Sequence, residues 1–97
     1  MMTKTNQNTL LALAHTKALI VYSREECHLC QNMILALQNL QQQISFDFQV
    51  IDIDSDSDLV KLYGEKIPVL MCPIDNQEIC HYFLDLAAFD DYLDKFR

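Results

Sequence analysis

The stretch ALIVYSREECHLC, residues 18–30, determines how the rest of the chain is interpreted. Its first six residues form a nearly continuous apolar run rich in β-branched side chains, which predicts a buried strand. Cys27 and Cys30 follow, where this run gives way to apolar residues at helical spacing. A Cys-x-x-C pair at such a junction is a redox couple, half of a metal site, or two small packing residues.

Helical and strand patterns follow the cysteine pair in a regular order. Apolar residues recur every three or four positions and predict a helix over residues 28–42. Residues 46–54, FDFQVIDID, alternate apolar and polar side chains and predict a second strand. A strand, a helix and a strand in this order imply a right-handed parallel crossover.

The C-terminal half predicts a short helix, a hairpin and a final helix. Residues 57–64, SDLVKLYG, predict a short helix. Asp56 or Ser55 can cap its start, and Gly64 ends it. Apolar runs at residues 67–73 and 78–83 flank the turn sequence IDNQ and predict a hairpin. Asp85 can cap the last helix.

The resulting order, βαβαββα, predicts an α/β sandwich with a four-stranded mixed sheet flanked by helices. We expect one domain over residues 17–97, with residues 1–16 as an N-terminal extension that is partly flexible or forms a short helix. The 97 residues suffice for one hydrophobic core.

Composition and charge exclude several functional classes. Gly64 is the only glycine, so no phosphate-cradling glycine loop is present. The formal charge of −7 argues against a nucleic acid or an anionic membrane as partner. Much of that charge lies in DIDSDSD, residues 52–58, which we interpret as a solvated loop with helix-capping acids.

No apolar run approaches the length of a membrane span or of a signal-peptide core, which predicts a cytoplasmic location. In a reducing compartment the four cysteines do not indicate a structural disulfide framework. Catalysis, metal binding and packing remain as explanations for them.

The position of the cysteine pair favours redox chemistry. Cys27 falls at a helix N-terminus, where unpaired backbone N–H groups and the helix dipole favour a thiolate. Cys30 lies one turn further, within reach of a disulfide, so the spacing supplies an exposed attacking thiol and a more buried resolving thiol. A zinc site would need Cys72 and Cys80 as well; a short hairpin would place these two roughly opposite each other, but packing explains them more simply.

YSREECHLC followed by VIDIDSDSDLVKLYGEKIPVL resembles the glutaredoxin-like family of the thioredoxin fold, and most closely its small bacterial members with Cys-x-x-C. The resemblance covers residues 18–97. It implies a thioredoxin-like sandwich in which Cys27 is the nucleophile and Cys30 the resolving cysteine. It also implies that Pro68 follows a cis peptide bond beside the disulfide and that the backbone of Ile67 pairs with an extended substrate.

The residues around the pair modify this expectation. Arg24 is expected to favour the thiolate, whereas the neighbouring Glu25 and Glu26 are expected to oppose it. His28, between the cysteines, can donate a hydrogen bond to the thiolate. We expect Arg24 and His28, together with the two residues of the proline loop, to line the substrate site.

The segment after the last strand differs from that of glutathione-binding relatives. Those relatives usually carry a Gly-Gly pair and an acidic residue there, and this chain has YFLDLAAF, in which only Asp85 could supply the acid. The close backbone approach that glycine permits is therefore missing.

The resemblance implies a thiol–disulfide oxidoreductase with a Cys27/Cys30 couple. We expect a monomer that acts on a disulfide-containing protein or on glutathione, needs no cofactor or metal, and has glutathione as one candidate reductant. Two alternatives stay open: a weakly reactive binding or redox-sensing module on the same fold, and a zinc or iron–sulfur protein, in which a cluster would be shared between two chains through Cys27.

Overall fold

The apolar run before the cysteine pair becomes one of the two central strands of the sheet. The computed structural model of the chain describes residues 18–95. Its elements are, in chain order, β1 (Leu19–Ser23), α1 (His28–Leu40), β2 (Phe48–Asp52), a 3-10 helix (Ile53–Ser55), α2 (Ser57–Tyr63), β3 (Val69–Cys72), β4 (Gln77–His81) and α3 (Leu86–Lys95).

The four strands form one mixed sheet in the order β2-β1-β3-β4. β1 pairs parallel with β2 across the α1 crossover and antiparallel with β3, and β3 pairs antiparallel with β4. The predicted α/β sandwich with a four-stranded mixed sheet is thereby confirmed. The predicted domain boundary near residue 17 and the N-terminal extension lie outside the described residues.

Burial distinguishes the two central strands. In β1 the residues alternate between buried and half-buried, so the prediction of burial on both faces is only partly correct. The strand buried on both faces is β3, all four of whose residues are buried. Side chains from α1 and α3 complete the core over one face, chiefly Met33, Leu37, Phe89 and Tyr92.

The acidic run after β2 caps helices, as expected. The Asp52 side chain accepts a hydrogen bond from Asp54 N at 2.9 Å and starts the 3-10 helix, which shortens the predicted second strand. Asp56 accepts one from Asp58 N at 2.8 Å and starts α2. Asp85 likewise accepts a hydrogen bond from the Ala88 amide at the start of α3.

Gly64 ends α2 for a reason other than the predicted one. Its φ of −54° is right-handed, so no left-handed cap is formed. A Cβ at this position would lie 2.6 Å from the Val60 carbonyl oxygen. The close approach of the two backbones therefore requires glycine here.

The β3–β4 hairpin differs from the expected geometry. Its loop spans residues 73–76 rather than the predicted IDNQ turn. Cys72 and Gln77 flank this loop and pair with each other, and a register shift between Leu70 and Met71 pairs Cys80 with Leu70. The prediction that Cys72 and Cys80 lie opposite each other is therefore wrong, although both are free, buried cysteines, as the packing interpretation expected. Burial raises the pKa of the Cys80 thiol.

Candidate active site

The register of the sheet brings the predicted site residues to one end of the molecule. Ser23, the last residue of β1, pairs with Asp52 at the end of β2. On the other side, Tyr22 pairs with Val69 at the start of β3, and Val69 pairs with His81 at the end of β4. The loops that follow β1, β2 and β4 and the loop that precedes β3 therefore lie at the same end of the sheet.

Cys27 occupies the N-cap position of α1. Its backbone is extended (φ −111°, ψ 107°), and its carbonyl accepts the first helical hydrogen bond, from Gln31 N at 3.0 Å. Its Sγ accepts a hydrogen bond from Cys30 N at 3.2 Å. The sulfur thus takes the place that a serine or aspartate oxygen takes in an ordinary N-cap, where negative charge is stabilised.

The two cysteines are close and unequally exposed. The Cys27 and Cys30 sulfurs are in disulfide contact, with their Cα atoms 5.2 Å apart. Cys27 is half-buried, whereas only 1% of Cys30 is exposed. An incoming reactant can therefore reach Cys27 directly and Cys30 only through its partner.

The turn before Cys27 has an unusual backbone conformation. Glu26 has a φ of 58°, in the left-handed region that costs a residue with a Cβ roughly 1–2 kcal/mol. This turn directs the chain from β1 into α1, and Glu25, Glu26 and His28, the neighbours of Cys27 in the chain, are exposed.

Arg24 has a partner that the sequence did not indicate. Its Nε lies 3.1 Å from both carboxylate oxygens of Asp54, and its Nη2 lies 2.9 Å from Oδ1. The pair ties the end of β1 to the 3-10 helix after β2. Since its charge is matched by Asp54, Arg24 offers less stabilisation to an anion at Cys27 than a free arginine would.

The proline loop is held by Tyr82. The Ile67–Pro68 peptide bond is cis, and Pro68 is buried. Tyr82 N donates to the Pro68 carbonyl at 2.9 Å, and the Tyr82 hydroxyl donates to the Glu65 carbonyl at 2.7 Å. Tyr82 therefore fixes both sides of Ile67, whose own amide and carbonyl make no backbone hydrogen bond within residues 18–95.

An aromatic pair fixes the other side of this loop. The rings of Tyr22, on β1, and Tyr63, at the end of α2, stack with centroids 4.5 Å apart and planes 15° apart. Burial raises the pKa of the Tyr22 hydroxyl, and the nearby Tyr63 adds to the increase. The stack holds the end of α2, and hence the start of the proline loop, against the central strand.

A charged group on β4 also contacts the loop. Glu78 accepts hydrogen bonds from Lys66 Nζ and pairs with His81 Nδ1, both at 2.6 Å. Burial alone would raise the pKa of Glu78, but the hydrogen bonds from Lys66 and His81 outweigh it and lower that pKa. The hydrogen bond to Glu78 raises the pKa of Lys66 in turn. Lys66 and Glu78 are therefore both charged over the whole neutral pH range.

The four cysteines do not assemble into a metal site in this structure. Within residues 18–95, no three histidine, cysteine or acidic side chains converge so as to hold a metal ion. Nor does any helix in that range have the length and apolar character needed to cross a membrane.

Sequence reasoning identified the cysteines and the proline loop but missed the residues that position them. Asp54, Tyr63, Glu78 and Tyr82 act through contacts with distant parts of the chain. Two of them had a visible signal: Asp54 lies in the acidic run, which indicated capping, and Tyr63 lies in the stretch that carries the family resemblance.

Comparisons with known proteins agree with this architecture. A family model described as "Glutaredoxin-like domain (DUF836)" matches residues 18–94. No curated protein matches the chain significantly.

Solved structures give similar matches. A solution NMR structure of a protein from Nitrosomonas europaea is 43% identical, covers 78% of this chain and 89% of that chain, and superposes with a TM-score of 0.72. An X-ray structure of a protein from X. campestris is 31% identical over 82% of this chain and 100% of that chain, with a TM-score of 0.66. A malarial protein, 12% identical with a TM-score of 0.58 over 80% of this chain and 93% of that chain, shares the fold alone.

Proposed function

The chain belongs to the glutaredoxin-like domain family, and from that premise we propose that it is a thiol–disulfide oxidoreductase whose redox couple is Cys27 and Cys30. The observation that carries the proposal is the N-cap position of Cys27. Its sulfur accepts a hydrogen bond from the Cys30 amide, and Cys30 is buried beside it. This arrangement stabilises a thiolate at Cys27, the more accessible of the two cysteines, and keeps the second sulfur within bonding reach.

The reaction proceeds in two exchanges. The Cys27 thiolate attacks one sulfur of a substrate disulfide, forms a mixed disulfide and displaces the other substrate sulfur as a thiolate, which takes a proton from water. Cys30 then loses its proton and attacks Cys27 Sγ, which releases the second substrate thiol and leaves the Cys27–Cys30 disulfide. The substrate gains two electrons that the dithiol loses, and a small thiol or a dithiol protein returns them.

The substrate is held by backbone pairing with the proline loop. The amide and carbonyl of Ile67 are unpaired within residues 18–95 and lie at the same end of the sheet as Cys27. An extended peptide can satisfy both groups as an added strand does. Arg24 lies in the loop before Cys27 and His28 is the first residue of α1, so both would flank such a peptide.

A redox titration tests the proposal. In glutathione buffers of stepped ratio, acid quenching, alkylation and peptide mass spectrometry should show that Cys27 and Cys30 oxidise together at about −200 to −270 mV, the range of known dithiol carriers. Cys72 and Cys80, which are buried, should stay reduced throughout.

The alternative function is a docking or redox-sensing module with a weakly reactive pair. The observation that favours it is the pairing of Arg24 with Asp54, which leaves Glu25 and Glu26 as the charges closest in sequence to Cys27. If Cys27 and Cys30 stayed reduced across the titration and alkylated no faster than a model thiol, this second function would replace the first.

Substitution of Tyr82 by phenylalanine tests the role of the proline loop. It removes the hydrogen bond to the Glu65 carbonyl, so we expect the free energy of unfolding to fall by about 0.5–1.5 kcal/mol. We also expect exchange with an extended peptide disulfide to slow several-fold, while alkylation of Cys27 by iodoacetamide keeps its rate. Stopped-flow kinetics on the reduced protein measures both.

Tyr63→Phe is the matched control, because the Tyr63 hydroxyl makes no hydrogen bond within residues 18–95. It should leave peptide exchange unchanged. Equal slowing of exchange and alkylation in Tyr82→Phe would show that Tyr82 acts on the thiol rather than on substrate docking.

A further inference from the structure

We infer that the protein selects disulfides carried on positively charged polypeptide segments over anionic ones, and that Glu25 and Glu26 set this preference. The inference rests on the proposed function and names its substrate class. It follows from the charges that surround Cys27 and from the pairing of the cations nearest to them.

Two glutamates directly precede Cys27 in the chain. Glu26 immediately precedes Cys27 and Glu25 precedes Glu26, so their Cα atoms lie within two peptide units of it, about 4–7 Å. Both side chains are exposed, and neither takes part in a hydrogen bond or ion pair within residues 18–95. The left-handed φ of Glu26 fixes the turn that carries them beside the start of α1.

Two cations at this end of the sheet are matched by carboxylates, whereas Lys61, exposed on α2 ahead of the proline loop, has no ion pair within residues 18–95. Arg24 is bound through two nitrogens to Asp54, and Lys66 is bound to Glu78 at 2.6 Å. A bound cation presents little net charge to an approaching molecule, because its partner cancels most of its field beyond contact distance.

The other exposed groups do not restore a positive charge. Tyr82 and Phe83, 40% and 66% exposed, are uncharged, and the exposed Glu65 adds a further carboxylate that has no ion-pair partner within residues 18–95. The region that a substrate must approach is therefore negative, because the unpaired Glu25, Glu26 and Glu65 outnumber Lys61, and Glu25 and Glu26 directly precede Cys27 in the chain.

This charge distribution affects the approach and the docking of a substrate. Like charges brought together disfavour association, and opposite charges raise its rate, most strongly at low ionic strength. A disulfide flanked by lysine or arginine is favoured at this surface. Glutathione disulfide, which is anionic at neutral pH, is disfavoured relative to such a peptide.

The test uses three synthetic peptides that differ only in the residues flanking an identical disulfide: lysine, glutamine or glutamate. The reduced full-length protein is mixed with each at about pH 8, where ordinary imidazoles are uncharged. We expect exchange rates in the order lysine, glutamine, glutamate, with a spread of about tenfold or more at an ionic strength of about 10 mM. At about 1 M salt, where the screening length falls to about 3 Å, the spread should nearly vanish.

The variant Glu25→Gln/Glu26→Gln should reduce the spread at low salt to about threefold or less. The matched control is Asp90→Asn/Asp91→Asn, which changes the net charge equally on exposed positions of α3. Asp91 lies beside Cys72 and Gln77, at the opposite end of the sheet, so this control should keep the full spread. Alkylation of Cys27 by neutral iodoacetamide is measured in all three proteins.

The outcomes separate this inference from the proposed function. Exchange with all three peptides at equal rates would overturn the inference and leave the oxidoreductase intact. A double variant that speeds exchange with all peptides and alkylation by one common factor would also overturn it, because the glutamates would then act on the thiol alone. Failure of every peptide to exchange would reject both.

Discussion

Replacing Cys27 with serine is expected to abolish thiol–disulfide exchange, with a fall in rate of about 10³-fold or more. A serine hydroxyl at the N-cap of α1 keeps the hydrogen bond to the Cys30 amide but is not ionised at neutral pH and cannot attack a disulfide. The remaining cysteine of the pair does not replace it, since only 1% of Cys30 is exposed. Reduction of a peptide disulfide, followed by mass spectrometry, measures the loss.

The companion variant Cys30→Ser should behave differently. Cys27 can still attack, but nothing resolves the product, so a mixed disulfide of protein and substrate accumulates and is seen as an added mass. Cys80→Ala, which changes a buried cysteine of the core, serves as a control and should keep full exchange. If Cys27→Ser retained exchange, or if Cys30→Ser trapped no mixed disulfide, the roles assigned to the two cysteines would be wrong.

Replacing Phe89 with alanine is expected to lower the free energy of unfolding by about 3–5 kcal/mol. The ring is 1% exposed and packs edge-on against Phe46, with centroids 5.1 Å apart, and beside Tyr92. Its loss removes the contact between α3 and the segment leading into β2. A domain of this size has a stability of roughly 5–15 kcal/mol, so this loss is a large part of the total.

Urea denaturation followed by circular dichroism measures this effect as a lower midpoint with an unchanged slope. Leu86→Ala, on the same helix but 59% exposed, is the control and should cost no more than about 0.5 kcal/mol. A loss below about 1 kcal/mol for Phe89→Ala would mean that α3 does not close the core in the way described.

The sequence predicted the elements of the fold because their signals are local. The apolar run before Cys27 and the helical spacing after it specify β1 and α1 from neighbouring residues alone. The capping roles of Asp56 and Asp85 were equally predictable, since a cap bonds to the backbone two or three residues further along. For the same reason the N-cap position of Cys27 was predicted correctly.

What the sequence did not predict depends on register and on distant pairing. The relation between Cys72 and Cys80 was wrong because the hairpin loop spans residues 73–76 and so pairs Cys72 with Gln77, while one extra residue in β4 pairs Cys80 with Leu70; no local pattern marks either feature. The pairing of Arg24 with Asp54, thirty residues away, and the two hydrogen bonds of Tyr82 to the proline loop require the sheet to be assembled first. These contacts lie at the same end of the sheet as the cysteine pair, so the sequence predicted the candidate redox couple but not the residues that support it.

The extra residue in β4 also bears on self-association. Within the described part of the chain β4 is an edge strand, and such an edge is a template on which another extended chain can pair. Here the pairing steps from Leu70–Cys80 to Met71–Glu78, which leaves Ile79 as a bulge that twists the ladder. Glu78, held by Lys66 and His81, places charge on the same strand. An incoming strand would meet an interrupted, charged ladder, so the β4 edge of the sheet is protected against edge-to-edge polymerisation.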